Sequence, residues 1–247
     1  MKKELREWAE KYVPKFNELA QKYNTCYYTQ SPLDKVETSP ELMVIGFNPA
    51  GTFGGGAEVK DINTFMKGNP CWNQRFQENG EIHQQWNAYF GTARCFLGVT
   101  GKKSDHFVDD DTKTVWTNLT PFPSSNGLTQ MKNEIAYTGY DSTLDLISVL
   151  KPRRIVFMGF DGFKSFENYC RKMLGKSIDH LCIADKYKIE IGRIEAIPFI
   201  VTVHPSWARN KPNCINFTSK LTSLHDSIVW NTNQSLQEIK ESLTNKL

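Results

Sequence analysis

Three side chains suited to holding a flat polar ring stand at the ends of predicted strands: Asn48, Asn118 and His204. Asn48 follows the apolar run Val44-Ile45-Gly46-Phe47 and opens the turn Asn48-Pro49-Ala50-Gly51. His204 follows another apolar run, at 199–203, and opens the turn His204-Pro205-Ser206. Turns that follow parallel strands collect along the carboxyl edge of an α/β sheet, where open folds of this class keep their ligands. An amide offers a donor and an acceptor side by side, and an imidazole adds a second donor or acceptor, so the trio can read a planar ring. It is poorly equipped to cleave an ester, because no serine or cysteine nucleophile with a paired base stands out.

Each of these features also has a plainer reading. The glycine-rich turn after Gly46 imitates a phosphate-binding loop, Gly46-x-x-x-x-Gly51-Thr52, but lacks the lysine that would meet the phosphates, which argues against nucleotide hydrolysis. Glycine and proline there could simply set the turn. A lone histidine at a strand end is more often structural, and His83, His106, His180 and His225 are assigned to surface or packing roles. Asp109-Asp110-Asp111 has the charge for a metal but lacks ligand geometry, and is read as a solvated loop. Trp207 is open to two readings, a packed loop aromatic or an exposed wedge.

The elements that must position these groups follow from periodicity. Apolar residues Trp8, Tyr12, Phe16 and Leu19 predict an amphipathic helix over 3–23, with Pro14 placed to kink or split it. Strands are predicted at 42–47, 114–119, 154–158 and 199–203, and a hairpin over 186–191 and 193–197 turning at Gly192. Helices are expected near 62–67 and 83–97, from a cap at Asp141 or Ser142 to Leu150, over 162–174, and over 216–246. The alternation predicts one α/β domain over 1–247: a three-layer α/β/α sandwich around a short, mostly parallel, four-stranded sheet. Flanking it are an N-terminal helical region (1–40), a polar insertion (66–110) and a C-terminal helical region (216–247).

Composition narrows the class. Of 247 residues, 39% are hydrophobic and 23% charged, the balance of a folded chain. Aromatics reach 12%, and most of them, Trp72, Trp86, Tyr89 and Phe90 included, are assigned to core packing. The net charge of +3 neither requires nor forbids a nucleic-acid partner. The N-terminus lacks the apolar centre of a signal peptide, and no apolar run is long enough for a membrane helix, so an intracellular protein without a membrane partner is expected. The six cysteines contain no C-x-x-C pair or Cys/His cluster, which weighs against a zinc or iron–sulfur site.

Gly46-Phe47-Asn48-Pro49-Ala50-Gly51 resembles the first motif of the uracil-DNA glycosylase superfamily, in the form used by its mismatch-specific and single-strand-selective monofunctional branches. His204-Pro205-Ser206 resembles the second motif, and Ala208-Arg209-Asn210 the Arg-Asn that follows it in the single-strand-selective branch. Thr117-Asn118-Leu119-Thr120-Pro121 sits where that superfamily keeps a strand-end asparagine, and Leu150-Lys151-Pro152 with the following strand and Gly159 resembles its helix, Lys-Pro, strand, Gly segment. The order holds from about residue 40 to 212.

The resemblance implies a monofunctional hydrolase that removes uracil or a related damaged pyrimidine from DNA in base excision repair, acting as a monomer without metal or cofactor. It implies that Asn48 orients the water and that His204 donates to uracil O2. Asn118 would read the pyrimidine edge, with Gly46 and Phe47 beside the base. Ser206, Trp207, Arg209, Asn210 and Lys211 would lie against DNA, Trp207 filling the gap left by base flipping. Phe53 and Phe65 are the two candidates for the ring that stacks on the base. Ala50 lengthens the first motif by one residue and the 66–110 insertion has no counterpart. A non-catalytic binding module on the same fold and an enzyme acting on free nucleotides are the competing expectations.

Overall fold

Helix α1, Lys3–Lys22, buries Leu5, Trp8, Ala9, Tyr12, Val13, Phe16, Leu19 and Ala20, one stripe at helical spacing. In this computed structural model, which describes residues 3–36, 39–49, 53–79, 81–83, 92–97, 110–124, 131–229 and 233–247, the helix runs through Pro14 as one element. Pro14 and Glu10, whose carbonyl the ring disturbs, are both exposed, so water can satisfy that carbonyl and the buried stripe holds the helix on either side. The stripe packs Phe16 against Tyr27, Phe65 and Phe122 at centroid distances of 5.5–5.8 Å. The Trp8 indole donates to Ser142 O at 2.9 Å, worth about 1 kcal/mol.

The chain forms two compact units. The first, Met1–Gln74 with Asp111–Pro152, holds α1 and a parallel pair, β1 (Leu42–Gly46) beside β2 (Thr114–Asn118), in the register Leu42 to Thr114 through Gly46 to Asn118. Short helices α2 (Ile62–Met66) and α3 (Pro70–Asn73) follow, capped by Asp61 and Asn69. Helix α4 spans Asn133–Leu150, starting well before the capping residues singled out in the sequence. Lys132 at its N-cap offers no side-chain bond, which left the true start without a signal. Gly139 lies where a Cβ would come within 2.7 Å of Leu119 O and Thr120 Cα, so glycine there lets α4 press onto the chain just past β2.

The second unit, Arg75–Asp110 with Arg153–Leu247, contains four strands in the order β3-β6-β5-β4. β3 (Ile155–Met158) pairs parallel with β6 (Ile197–Thr202), whereas β5 (Ile189–Ile194) pairs antiparallel with β6 and with β4 (Asp179–Ala184). The six strands are therefore mixed in direction, and the expectation of a mostly parallel four-stranded sheet is corrected. The fold is α/β. The hairpin is corrected as well: its turn lies at Glu195, in the left-handed region at φ 56°, and Gly192 sits inside β5. The Phe199 ring and Asp179 O crowd Gly192, so the glycine marks a close crossing rather than a bend.

Helices α5 (Phe160–Met173), α6 (Pro205–Ala208), α7 (Pro212–Val229) and α8 (Leu236–Thr244) complete this unit, the last with a Ser235/Glu238 capping box. Its interior carries ions. Arg154, fully buried, pairs with Asp226 at 2.8 Å and donates to Leu97 O. Burial lowers Arg154 to about 10 and raises Asp226 to about 6, each opposed by the other's charge. His225 beside them is held neutral, down to about 3, by burial and then by Arg154. Nearer the surface, His180 lies between Glu190 (2.8 Å) and Glu167 (3.2 Å), and Lys164 bonds to both carboxylates. Among the described residues, no helix is long and apolar enough to cross a membrane.

Candidate functional site

The carboxyl ends of β1 and β2 bring Gly46, Phe47, Asn48 and Asn118 together in the first unit. The strands continue pairing past their ends: Leu119 N–H donates to Gly46 O (2.8 Å) and Thr120 N–H to Phe47 O (3.1 Å). Thr143 of α4 donates to the Asn118 and Leu119 carbonyls, both at 3.3 Å, which pins the end of β2 from below. The Asn118 side chain crosses over Gly46, and a Cβ on Gly46 would stand 2.5 Å from Asn118 Oδ1. Glycine at 46 is thus what lets the Asn118 amide lie where it does. Asn118 is part-exposed, so its amide can meet a ligand.

Asn48 is held in one orientation. Its Nδ2 donates to Pro49 O at 2.8 Å and to Ser124 O at 3.0 Å. Both partners are carbonyls, so the nitrogen must face them, and Oδ1 is left as the outward acceptor. A part-buried amide presenting only an acceptor can take a hydrogen bond from water and aim one of its lone pairs. Ser124 could not be found from sequence, because a backbone carbonyl carries no residue signature.

His204 lies two residues past β6 in the second unit, where it caps the short helix α6 with Pro205 at the first helical position. Its Nδ1 accepts the Ser206 N–H at 3.2 Å. In the neutral ring that fixes the tautomer: Nδ1 is the acceptor and Nε2 carries the proton as a donor. Desolvation by the surrounding protein lowers the imidazole pKa below its ordinary value, although part of the side chain remains accessible, so the neutral donor form prevails at neutral pH.

Around His204 stand Ser206, Trp207, Arg209, Asn210 and Lys211, all exposed. Trp207 is 49% exposed, with the Lys211 ammonium over its ring, which favours the exposed reading over the packed one.

Several assignments change once burial is known. Phe65 is 2% exposed, with Trp8, Phe16 and Tyr27 around it, and belongs to the core. Phe53 is part-exposed and leans on Tyr23 at 6.1 Å. Asp111, read as solvated, is 8% exposed, accepts the Trp72 indole N–H at 3.0 Å and lies 3.5 Å from Lys35. Lys220 donates to Leu247 O at 2.9 Å. The continuation of the first turn through Ala50-Gly51-Thr52, most of the proposed helix at 83–97, and Trp86, Tyr89, Phe90, His106 and Asp109 lie outside the described residues.

No family model and no curated protein matches the chain.

Proposed function

We propose that this chain is a monofunctional DNA glycosylase of the uracil-DNA glycosylase superfamily, with the three-layer α/β/α arrangement of that superfamily, and that it excises uracil or a related damaged pyrimidine. The observation that carries the reading is the fixed polarity of two side chains: the Asn48 amide nitrogen is turned to two carbonyls, which makes Oδ1 its acceptor, and His204 Nδ1 accepts the Ser206 N–H, which makes Nε2 the protonated nitrogen of the neutral ring. Those are the two polarities that hydrolysis of a pyrimidine N-glycoside needs.

The C1′–N1 bond breaks with its electron pair leaving on the base, and the sugar gains oxocarbenium character. His204 Nε2–H donates to O2, where the charge develops. A preorganised donor of this kind contributes roughly 3 kcal/mol. Asn48 Oδ1 accepts from the attacking water and aims it at C1′. The water's oxygen bonds to C1′, and its released proton passes to solvent. An amide is a feeble base, so Asn48 acts by orientation, and turnover is slower than an aspartate would give. Asn118 pairs with N3–H and O4 on the opposite edge, with Gly46 leaving room for its amide. Arg209 and Lys211 hold phosphates, and Trp207 fills the gap as the base leaves the stack. The protein is proposed to work inside the cell, as a monomer.

The test is excision from single- and double-stranded uracil oligonucleotides, read as strand cleavage after alkali. Abasic product that disappears with Asn48→Ala supports the reading. Absence of product from both substrates at enzyme excess contradicts it and favours a binding module.

A further inference from the structure

Immediately beside His204, the second unit carries an alternation of cations and rings that the excision chemistry does not use. The connection from β4 to β5 is a 3-10 turn, Asp185–Tyr187, followed by Lys188 in the left-handed region at φ 50°. Glycine or asparagine is the ordinary choice there, and lysine is disfavoured by about 1 kcal/mol. Continuing the β5–β6 register, in which Glu190 faces Val201, puts Lys188 opposite Val203, the residue before His204. On the other flank, Met158 of β3 faces Thr202 and Gly159 N–H donates to Thr202 O at 2.9 Å, which places Phe160 at the same edge.

The side chains run together along that edge. The Lys188 ammonium lies over the Phe160 ring at 5.4 Å, and the Lys186 ammonium over Tyr187 at 5.3 Å. Tyr187 and Phe217 of α7 lie tilted against each other with centroids 4.8 Å apart. All three rings are part-exposed, and both lysines are exposed. With Arg209 and Lys211 past His204, this edge presents four cations against the carboxylates of Asp161, 3.6 Å from Lys188, and Asp185.

We propose that the turn Lys186-Tyr187-Lys188, with Phe160 and Phe217, is a track for single-stranded DNA that holds the nucleotides flanking the base handled at His204. The rings supply faces on which unpaired bases stack, and the lysines bind phosphates. A duplex keeps its bases stacked on one another and cannot use the rings, so the track favours single strands. The inference rests on the glycosylase reading for its role in repair, though the binding itself does not require excision.

The test is fluorescence anisotropy of a labelled single-stranded deoxyoligonucleotide and a duplex of equal length across a sodium chloride series. Wild type is expected to prefer the single strand. Lys186→Gln/Lys188→Gln should weaken single-strand binding about tenfold at low salt. It should also flatten the log–log salt slope by about 1.4, roughly 0.7 for each phosphate no longer neutralised. Tyr187→Ala should bind roughly tenfold more weakly at unchanged slope, whereas Tyr187→Phe keeps the affinity and Tm serves as the folding control. Unchanged affinity and slope in the lysine variant, no single-strand preference, or no binding by wild type would each overturn the inference. The two ideas separate cleanly. Excision with no dependence on Lys186 and Lys188 sinks the track alone, and track-dependent binding without excision sinks the glycosylase reading alone.

Discussion

The two units fix their polar groups by opposite means. In the first, an aromatic core of Trp8, Tyr12, Phe16, Tyr27, Phe65 and Phe122 leaves the working groups at the strand ends to be oriented by uncharged backbone: Pro49 and Ser124 carbonyls for Asn48, and the space above Gly46 for Asn118. In the second, ions are buried or half-buried, at Arg154–Asp226 and around His180, and the His204 imidazole is desolvated and accepts the Ser206 N–H. Orientation by carbonyls is indifferent to pH; orientation by ions and an imidazole is not. The strand-end amides of the first unit should therefore keep their orientation across pH, whereas the imidazole and the ions of the second should respond to it.

The largest break in that contrast comes from Arg154→Met. Half-buried Asp226 and buried His225 would face an apolar chain, and losing the fully buried partner of such a pair costs up to about 3 kcal/mol. Chemical denaturation should show the loss. A change below about 1 kcal/mol would mean that the pair is solvated and the contrast is false.

Next is His204→Ala, expected to slow excision by roughly 10²–10³-fold, the range for a preorganised donor, while stability falls only by the lost α6 cap, about 1 kcal/mol. The acid limb sharpens the point. A depressed pKa keeps the ring neutral as pH falls through 6.5, so wild-type activity should decline only below that value. A decline beginning above about pH 7 would contradict the neutral-donor assignment.

Gly46→Ala separates function from stability in the first unit. The added methyl would meet the end of the Asn118 side chain, which can swing away. Excision should drop by about tenfold or more while the denaturation midpoint moves little, since only a flexible side chain must yield. A stability loss with activity intact would mean that the strand moved and the amide stayed.

The strand ends were legible in the sequence because buried apolar runs ending in Asn-Pro or His-Pro punctuate cleanly, and β1, β2, β3 and β6 fall close to their predicted places. What escaped was fixed by contacts that leave no local pattern. Gly192 reads as a turn until the Phe199 ring is seen over it, and β4, half-exposed with weak alternation, has no signal of its own. Counting residues from Asn48 offered Phe65 as a stacking ring, but spacing along a chain does not report burial. Asn48 and His204 could be named from type and position; their polarity could not, because it depends on Ser124 O and Ser206 N.

The smallest effect belongs to His180. Its hydrogen bond to Glu190 leads in raising its pKa, so its contribution is complete below 6.5 and fades as pH rises through the higher folded value. Desolvation pushes Glu190 upward, but His180 and Lys164 outweigh it. The lowered result adds stability above 4.5 that is lost as pH falls through the folded value. The advantage of wild type over His180→Gln should be greater at about pH 6 than at about pH 9, by about 1 kcal/mol or less. An equal difference at both would remove His180 from the pH account.

The proposed reaction requires the Asn48 amide and the His204 imidazole to act on one transition state. A double-mutant cycle on single-turnover uracil excision, with Asn48→Ala, His204→Ala and both, measures it most directly. The account predicts a double variant much less impaired than the product of the single losses, because either loss already disables the shared step. Strictly multiplicative losses, or full activity in either single variant, would contradict it.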